Sequence, residues 1–309
     1  MIIVVVGNHS AEAFRAAAPA VDFRFVADWS EADDVVETMV AVVGRVTPQI
    51  LARAGHLRWV HSPSAGVDAD LSAEMLAGDV VLTSSVGNGA IPLAEHSMLL
   101  MLMLNRDVPR WLRAQAEHHW DRFTHGELAG LTLGIYGLGN SGIDLARKAK
   151  AFDLRVLGVR RRPDQPSPYV DEVYGVDGLP QLLAESDFVV VTAPSTPATT
   201  GRFDRKAFAQ MKPTAYFICI SRGGIADDDA LLEALREGRI AGAGLDAHGV
   251  EPLPADSPFW DLPNVIVTPH NGATSRGTAR RGEEIVLDNL RRFVSAEPLR
   301  NVVDKTAGY

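Results

Sequence analysis

The alternation of apolar and amphipathic segments along this chain predicts an α/β protein. Short apolar runs separated by helical patterns are typical of parallel strands joined by helices. The first third of the sequence contains five such runs, at 2–6, 23–27, 40–43, 58–61 and 80–83. A helical region from Pro92 to Trp120 follows, and Pro109 predicts a break within it because proline disrupts a helix interior.

A second series of apolar runs is more regular than the first. It predicts strands at 131–136, 154–159, 187–193, 215–220, 242–246 and 265–268. Six parallel strands are typical of a doubly wound dinucleotide-binding fold. The last helical stretch, 277–295, and the tail through 304 lie beyond this count, and we expect them to return to the first domain.

A glycine-rich turn follows the first strand of this second series. Gly137, Gly139 and Gly142 form a Gly-x-Gly-x-x-Gly motif between a buried strand and an amphipathic helix. The first glycine permits a tight reversal, the second lets the backbone approach a pyrophosphate, and the third lets the helix pack closely. The helix N-terminus then faces the phosphates, so Asn140 and Ser141 also belong to the predicted cofactor site.

Three consecutive arginines indicate which dinucleotide is bound. An NAD site usually has Asp or Glu about 20 residues after the motif, at the end of the second strand. Eighteen residues after Gly142 this chain has Arg160, followed by Arg161 and Arg162. Guanidinium groups bond to the 2′-phosphate of NADP, which a carboxylate would repel. We therefore predict a preference for NADP(H), with NAD(H) as the alternative if these arginines only form a solvated loop.

Composition and charge narrow the class of protein. Hydrophobic residues make up 46% of the chain and charged residues 22%, as in a globular protein. The net charge of −9 argues against nucleic acid or an anionic membrane surface as a partner. The N-terminus predicts a buried strand rather than a signal peptide, and the apolar run 98–104 is too short to span a membrane. Because Cys219 is the only cysteine, we expect a reducing compartment and a cytoplasmic enzyme.

Three polar residues follow predicted strands of the second series, where open parallel sheets bind their ligands. They are Arg222, Glu251 and His270. Histidine is a natural proton donor near neutral pH, a carboxylate fixes its orientation, and an arginine fork holds a carboxylate and polarises a carbonyl. Each residue alone could be structural, and their shared placement favours carbonyl reduction by hydride transfer. The nine histidines show no HExxH or comparable spacing, so no metal site is predicted.

The segments that carry these residues resemble the D-isomer-specific 2-hydroxyacid dehydrogenases over most of the chain. The matching motifs lie at 137–142, 192–203, 221–224, 245–254 and 264–274. The resemblance implies that Arg222 binds substrate, that Glu251 and His270 form the acid/base pair, and that Asp246 contacts the nicotinamide carboxamide. It also implies further cofactor contacts at Ala193, Pro194, Thr199, Ile220 and Ala273.

The first domain shares this resemblance. Residues 58–68 resemble the family's substrate loop, in which backbone N–H groups around Ala65 and Gly66 receive the substrate carboxylate. Residues 86–96 are closer to the glyoxylate and hydroxypyruvate reductase branch than to phosphoglycerate dehydrogenases. A homodimer through the Pro92 to Trp120 region is also implied. Two positions depart from the family: Cys219 stands where many relatives have Asn, and Asn271 where an aliphatic residue is common.

These observations predict a two-domain organisation, which the length of 309 residues also favours. A doubly wound parallel-sheet (Rossmann) cofactor domain at 98–283 is inserted into a flavodoxin-like α/β substrate domain made of 1–97 and 284–309.

The predicted function is the NADPH-preferring reduction of a small 2-oxo acid, such as glyoxylate or hydroxypyruvate, to the D-2-hydroxy acid. His270 is the expected proton donor. Oxidation of phosphite or another small acid is an alternative, although the resemblance implies that formate enzymes carry Gln in place of Glu251. A regulatory NADP(H)-binding protein without turnover is a third, which the intact set of three residues weighs against.

Overall fold

The computed structural model describes residues 1–309 and divides into two compact units. One unit comprises Met1–Gly89 and Ser275–Tyr309, and the other comprises Ala90–Thr274. Each unit is an α/β structure with its own parallel sheet, which confirms the predicted fold class.

The first unit contains a five-stranded parallel sheet in the order β2-β1-β3-β4-β5. Doubly wound folds of the flavodoxin type have this order. All five strands predicted from apolar runs are present. Their bounds are β1 Ile2–Val6, β2 Asp22–Val26, β3 Ala41–Val43, β4 Trp59–Ser62 and β5 Val81–Ser84. The helices are α1 Ala11–Ala17, α2 Pro48–Arg53, α3 Ala73–Ala77 and the C-terminal α10 Arg276–Val294, with short 3-10 helices at Trp29–Glu31 and Asp33–Val35.

The second unit contains seven parallel strands in the order β12-β11-β10-β9-β6-β7-β8. The strands are β6 Thr132–Tyr136, β7 Arg155–Val159, β8 Glu172–Tyr174, β9 Phe188–Val191, β10 Tyr216–Cys219, β11 Gly242–Leu245 and β12 Val265–Val267. The helices are α4 Ala90–Asn105, α5 Val108–Ala116, α6 Asn140–Lys150, α7 Leu179–Glu185, α8 Arg205–Phe208 and α9 Asp228–Arg236, with 3-10 helices at Val176–Gly178 and Pro258–Asp261. The strand order reverses direction between β6 and β9, where ligands bind in doubly wound folds.

The structure contains one strand that the apolar pattern did not predict. Strand β8 has only three residues, none of them buried, and it lies at the edge of the sheet beside β7. A short, half-exposed edge strand lacks an apolar run that a sequence pattern detects.

The predicted helix break falls just before Pro109. The left-handed Asp107 (φ 48°) separates α4 from α5, and its carboxylate accepts a hydrogen bond from the backbone N–H of Arg110. Pro109 lies in the first turn of α5, where a missing N–H has no cost.

The two units meet in sequence at 89/90 and 274/275, earlier than the expected 97/98 and 283/284. Helix α4 is continuous from its start and buries Ala94 and Met98 in the core of the second unit. Helix α10 buries Val286 and Leu290 beside Phe14 in the first unit. The packing of α4 and α10 therefore determines where the chain passes from one unit to the other.

One buried histidine lies near the end of β4 in the first unit. The ring of His61 is 1% exposed, with Nδ1 2.8 Å from Thr83 Oγ1 and Nε2 3.1 Å from Ser85 Oγ. Burial, assisted by the nearby charge of His9, lowers the pKa of His61 to about 4. The folded protein therefore keeps this ring neutral at pH values where the unfolded chain protonates it.

We expect His61 to make stability depend on pH. As the pH falls from about 6.5 to about 4, the unfolded state binds a proton that the folded state does not, so stability is lost across this window. At pH 5 the loss is about 2 kcal/mol. Urea denaturation at pH 7.5 and pH 5 should show a smaller pH effect in His61→Gln. The same change at the exposed His56 should leave the wild-type pH effect intact, and equal effects in both variants would contradict the assignment.

Candidate active site

Three neighbouring strand ends of the second unit carry the predicted catalytic residues. Strands β10, β11 and β12 are adjacent and parallel, so their carboxyl ends lie side by side. The chain that leaves β10 carries Arg222, the chain that leaves β11 carries Glu251, and the chain that leaves β12 carries His270. The topology therefore places three sequence-distant residues along one edge of the sheet.

Glu251 and His270 form a direct hydrogen-bonded pair. His270 Nδ1 lies 2.7 Å from Glu251 Oε2, and the two side chains are 38% and 36% exposed. Glu251 Oε1 accepts a second hydrogen bond, 2.9 Å long, from the backbone N–H of His248. Nε2 of His270 makes no hydrogen bond within the protein. The pair therefore has one oriented ring nitrogen available to a ligand.

The carboxyl group of Glu251 is held in its ionised form. Partial burial acts to raise the pKa of Glu251, but the hydrogen bonds from the His248 backbone and the His270 ring, with the nearby histidine charges, outweigh it. The net pKa lies below the ordinary value. At neutral pH the carboxylate accepts the Nδ1–H of His270 and thereby directs the second nitrogen, Nε2, outward.

The backbone at His270 adopts a left-handed conformation that a residue with a side chain rarely takes. Its φ is 51°, and such strain persists only where the surroundings fix it. The buried Asp246 does so: Oδ1 accepts from the N–H of Asn271 at 3.0 Å, and Oδ2 from the N–H of Gly272 at 2.9 Å. The Thr268 hydroxyl also donates to Oδ1, at 2.7 Å. Asp246 thus holds the loop on both sides of His270.

Arg222 lies in a loop that packs against the loop carrying Glu251. It is half-buried, and its Nη1 donates to the Ser221 carbonyl at 2.8 Å. A Cβ on Gly223 would overlap the carbonyl group of His248, so only glycine permits this close approach. The Arg222 loop is therefore held against the loop that carries Glu251.

Cys219 supports the same loop as a buried thiol. Burial raises the pKa of Cys219 to about 11, although hydrogen bonds from Ser221 and Arg222 act to lower it. The protonated thiol donates to the Arg222 carbonyl at 3.4 Å. Cys219 therefore acts as a small hydrogen-bonding core residue.

The glycine turn has the geometry that a bound dinucleotide requires. Gly137 is left-handed (φ 110°), and a Cβ there would meet Ala193. A Cβ on Gly142 would overlap the Gly137 carbonyl, so α6 packs directly on the turn. By contrast, Gly139 has open space around it and precedes a helix with no side-chain cap. The uncapped N–H groups of α6, beginning at Asn140 and Ser141, suit a pyrophosphate.

The remaining predicted cofactor residues differ in accessibility. Ala193 and Ile220 are buried, whereas Pro194 is exposed and Ala273 is half-buried. The Thr199 hydroxyl donates to the Pro194 carbonyl at 2.7 Å and closes the turn after β9. Asp246 is fully buried, with both oxygens bonded to the chain. The predicted nicotinamide contact of Asp246 and the side-chain contacts of Ile220 and Thr199 stay predictions.

The three arginines after β7 have different surroundings. Arg160 is half-buried, and its guanidinium donates to Ser167 Oγ at 2.9 Å and Gln165 Oε1 at 2.8 Å. Arg161 and Arg162 are exposed. Arg160 therefore organises the proline-rich loop, and its two neighbours present their charge at the surface.

In the first unit, the predicted substrate loop presents backbone donors. The N–H groups of Ala65 and Gly66 donate to no other group of the protein, and Ala65 is exposed. The Ser62 hydroxyl donates to Asp70 at 2.8 Å, which fixes the start of the loop. Two unpaired N–H groups in succession suit a carboxylate.

Two further features bear on the chemistry of the chain. No group of three or more His, Cys, Asp or Glu side chains is arranged to hold a metal ion. None of the helices combines the length and apolarity that a membrane crossing requires.

The fold and the site point to one class of protein, the oxidoreductases that bind a nicotinamide dinucleotide. The doubly wound sheet carries a glycine-rich turn suited to phosphates, and an oriented histidine lies near an arginine. Residues 98–272 match the model for the NAD-binding domain of the D-isomer specific 2-hydroxyacid dehydrogenases. The match spans more than half of the chain, and the protein belongs to that family.

Individual relatives differ in how much of their length matches. D-3-phosphoglycerate dehydrogenase from Methanocaldococcus jannaschii is 33% identical over 84% of this chain and 50% of its own length. This chain thus spans about half the length of the curated relatives it matches. The structure of the NADPH-dependent glyoxylate/hydroxypyruvate reductase from Sinorhizobium meliloti, in complex with NADP and sulfate, is 32% identical with a TM-score of 0.87. The structural match covers 100% of this chain and 99% of the Sinorhizobium meliloti chain.

A second solved structure extends this similarity. The D-isomer specific 2-hydroxyacid dehydrogenase from Xanthobacter autotrophicus Py2, in complex with NADPH and MES, is 31% identical with a TM-score of 0.85. It covers 99% of each chain. Both structural relatives therefore share the whole architecture of this chain.

We expect Gly139→Ala to weaken cofactor binding without destabilising the fold. The φ of Gly139 is −88° and its surroundings are open, so alanine fits the free protein, but its methyl group occupies the approach of a pyrophosphate. The Kd for NADPH should rise at least about tenfold, which corresponds to about 1.4 kcal/mol. Fluorescence titration and thermal denaturation measure the two effects. Gly55→Ala, at another open glycine, is the matched control; an unchanged Kd in Gly139→Ala would contradict the phosphate site.

Proposed function

We propose that this protein reduces a small 2-oxo acid to the D-2-hydroxy acid with NADPH. The observation that carries the proposal is the His270–Glu251 pair, in which Nδ1 is held at 2.7 Å and Nε2 makes no bond within the protein. The nearby loop of Arg222 adds a cation suited to a carboxylate. Membership in the D-2-hydroxyacid dehydrogenase family supports the same reaction class.

The contacts of these residues support the following roles. The glycine turn at 137–142 would hold NADPH, which would provide the hydride for the carbonyl carbon. His270 donates the proton on Nε2 to the carbonyl oxygen, and the ionised Glu251 holds the ring through Nδ1 and stabilises the imidazolium. The Arg222 guanidinium binds the substrate carboxylate and polarises the carbonyl. In the oxidation direction His270 accepts the hydroxyl proton.

The proposed substrate class rests on the relatives. The Sinorhizobium meliloti relative, a glyoxylate/hydroxypyruvate reductase, matches over the full chain, which favours these two substrates. The curated relatives named D-3-phosphoglycerate dehydrogenase support a second candidate, the oxidation of a phosphorylated 2-hydroxy acid. Because residues 86–96 also resemble the glyoxylate and hydroxypyruvate reductase branch, we favour the unphosphorylated substrates.

A substrate panel separates these candidates. We expect glyoxylate or hydroxypyruvate to oxidise NADPH with a higher kcat/KM than 3-phosphohydroxypyruvate, and phosphite not to reduce NADP.

His270→Gln should lower kcat by about 10²- to 10⁴-fold because the proton donor is lost, while the Kd for NADPH stays unchanged. Near-normal turnover in that variant would show that another group donates the proton. Tight NADPH binding with no turnover of any 2-oxo acid would favour a regulatory protein.

We also propose that NADP is preferred over NAD through Arg161 and Arg162. Both side chains are exposed and directly follow Arg160, which lies after β7 where NAD-binding units usually have an acid. Arg160 supports them indirectly, since its guanidinium is bonded to Ser167 and Gln165. The bound NADP and NADPH of the two structural relatives support this preference.

The double substitution Arg161→Ser and Arg162→Ser tests the preference. Loss of charge-assisted bonds to the 2′-phosphate should raise the Kd for NADPH about tenfold or more and leave that for NADH unchanged. Titration with both cofactors gives the ratio directly. Arg236→Ser, at an exposed arginine on α9, controls for loss of net charge. If the ratio of the two constants stays at its wild-type value, the phosphate is bound elsewhere.

A further inference from the structure

Two histidines besides His270 converge on one threonine in the loop after β12. The Nε2 of His248 lies 3.0 Å from the Thr268 carbonyl oxygen, and the Nε2 of His96 lies 3.0 Å from Thr268 Oγ1. A carbonyl only accepts hydrogen bonds, so Nε2 of His248 carries a proton and donates. Thr268 is two residues before His270. Its position therefore bears directly on the backbone that carries the proposed proton donor.

His248 contacts both halves of the acid/base pair. Its backbone N–H donates to Glu251 Oε1 at 2.9 Å, while its ring donates to the carbonyl of Thr268, two residues before His270. The residue is 7% exposed, so its ring is enclosed rather than available to substrate. One buried residue thus ties the loop after β11 to the loop after β12.

The backbone at His248 is closely packed. Its carbonyl is packed against Gly223, and the next residue, Gly249, lies against the carboxylate of Asp228. Asp228 and Glu251 are the carboxylates whose charges interact with His248. Burial raises the pKa of Asp228. The backbone of His248 is thus held against the Arg222 loop, and its ring is held by the Thr268 carbonyl.

The opposite side of Thr268 is held by different groups. Its hydroxyl donates to Asp246 at 2.7 Å and therefore accepts from His96, whose Nε2 also lies 3.6 Å from Asp246 Oδ1. These bonds hold the hydroxyl group, whereas His248 alone among the side chains holds the carbonyl group. Loss of the His248 ring donor would free the peptide group between Thr268 and the following proline.

We infer that His248 is a positioning residue for His270. It fixes the Thr268 carbonyl, and with it the left-handed backbone that directs the His270 ring towards Glu251. The kinetic consequence rests on the proposed function, whereas the effect on the His270–Glu251 hydrogen bond does not.

A matched pair of substitutions separates the ring donor from the space it fills. His248→Phe keeps a ring of similar size but has no donor, whereas His248→Gln places an amide N–H where Nε2 lies. Both keep the backbone N–H that binds Glu251. We expect kcat with the best 2-oxo acid to fall about ten- to hundredfold in the Phe variant, with an unchanged Kd for NADPH. The Gln variant should recover most of the wild-type kcat. His248→Leu replaces the Phe variant if the latter does not fold.

A measurement without turnover tests the geometry itself. In protein labelled with ¹⁵N-histidine, the Nδ1–H of His270 bonded to Glu251 should give a downfield signal that is absent in His270→Gln. We expect this signal to shift upfield or broaden through exchange with water in His248→Phe and to persist in His248→Gln. A wild-type signal in the Phe variant, or equal loss of kcat in both variants, would overturn the inference. If the wild type reduces no 2-oxo acid, the proposed function fails, and the NMR comparison still decides the role of His248.

Discussion

The His270–Glu251 pair depends on the carboxylate of Asp246, which is fully buried at the end of β11. A buried carboxylate is tolerated only where hydrogen bonds replace its hydration, and Asp246 accepts from Thr268, Asn271 and Gly272. These three donors surround His270 in sequence. They offset the strain of its left-handed backbone, which costs about 1–3 kcal/mol. The same three hydrogen bonds therefore offset the desolvation of the Asp246 carboxylate and the backbone strain at His270.

Parallel strand order explains why these particular segments form the site. Each crossover in a parallel sheet returns the chain to the same edge, so successive loops accumulate there. Because β10, β11 and β12 are neighbours in that order, three consecutive loops meet, and Gly223 allows the Arg222 loop to approach the backbone at His248 closely. The sheet brings the loops of Arg222, Glu251 and His270 together independently of contacts between these side chains. The sheet determines their neighbourhood, and Asp246 and His248 adjust the fine geometry.

The apolar pattern and the strand-end rule were sufficient to predict the strands, the glycine turn and the His270–Glu251 pair. They did not predict β8, which is too short and exposed to give an apolar run, or the hydrogen bonds of Arg160 to Ser167 and Gln165. They also missed His248 and His96. The roles of these two residues arise from contacts with Thr268 across long sequence separations, and no local pattern encodes such a contact. The Thr-Pro-His sequence at 268–270 was the only local signal. It indicated the loop that carries His270, but not the histidines that hold this loop.

Three histidines lie around this loop, and their hydrogen bonds distinguish the proposed proton donor from the supports. His96 and His248 each use Nε2–H to donate to Thr268, and both rings are largely enclosed. A proton committed to a buried acceptor cannot be transferred to a ligand without breaking the bond that holds the loop. His270 instead uses Nδ1 for Glu251 and keeps Nε2 outside the internal network, on a side chain that is 38% exposed. The same side-chain chemistry therefore serves structure at two positions and is available for proton transfer at the third.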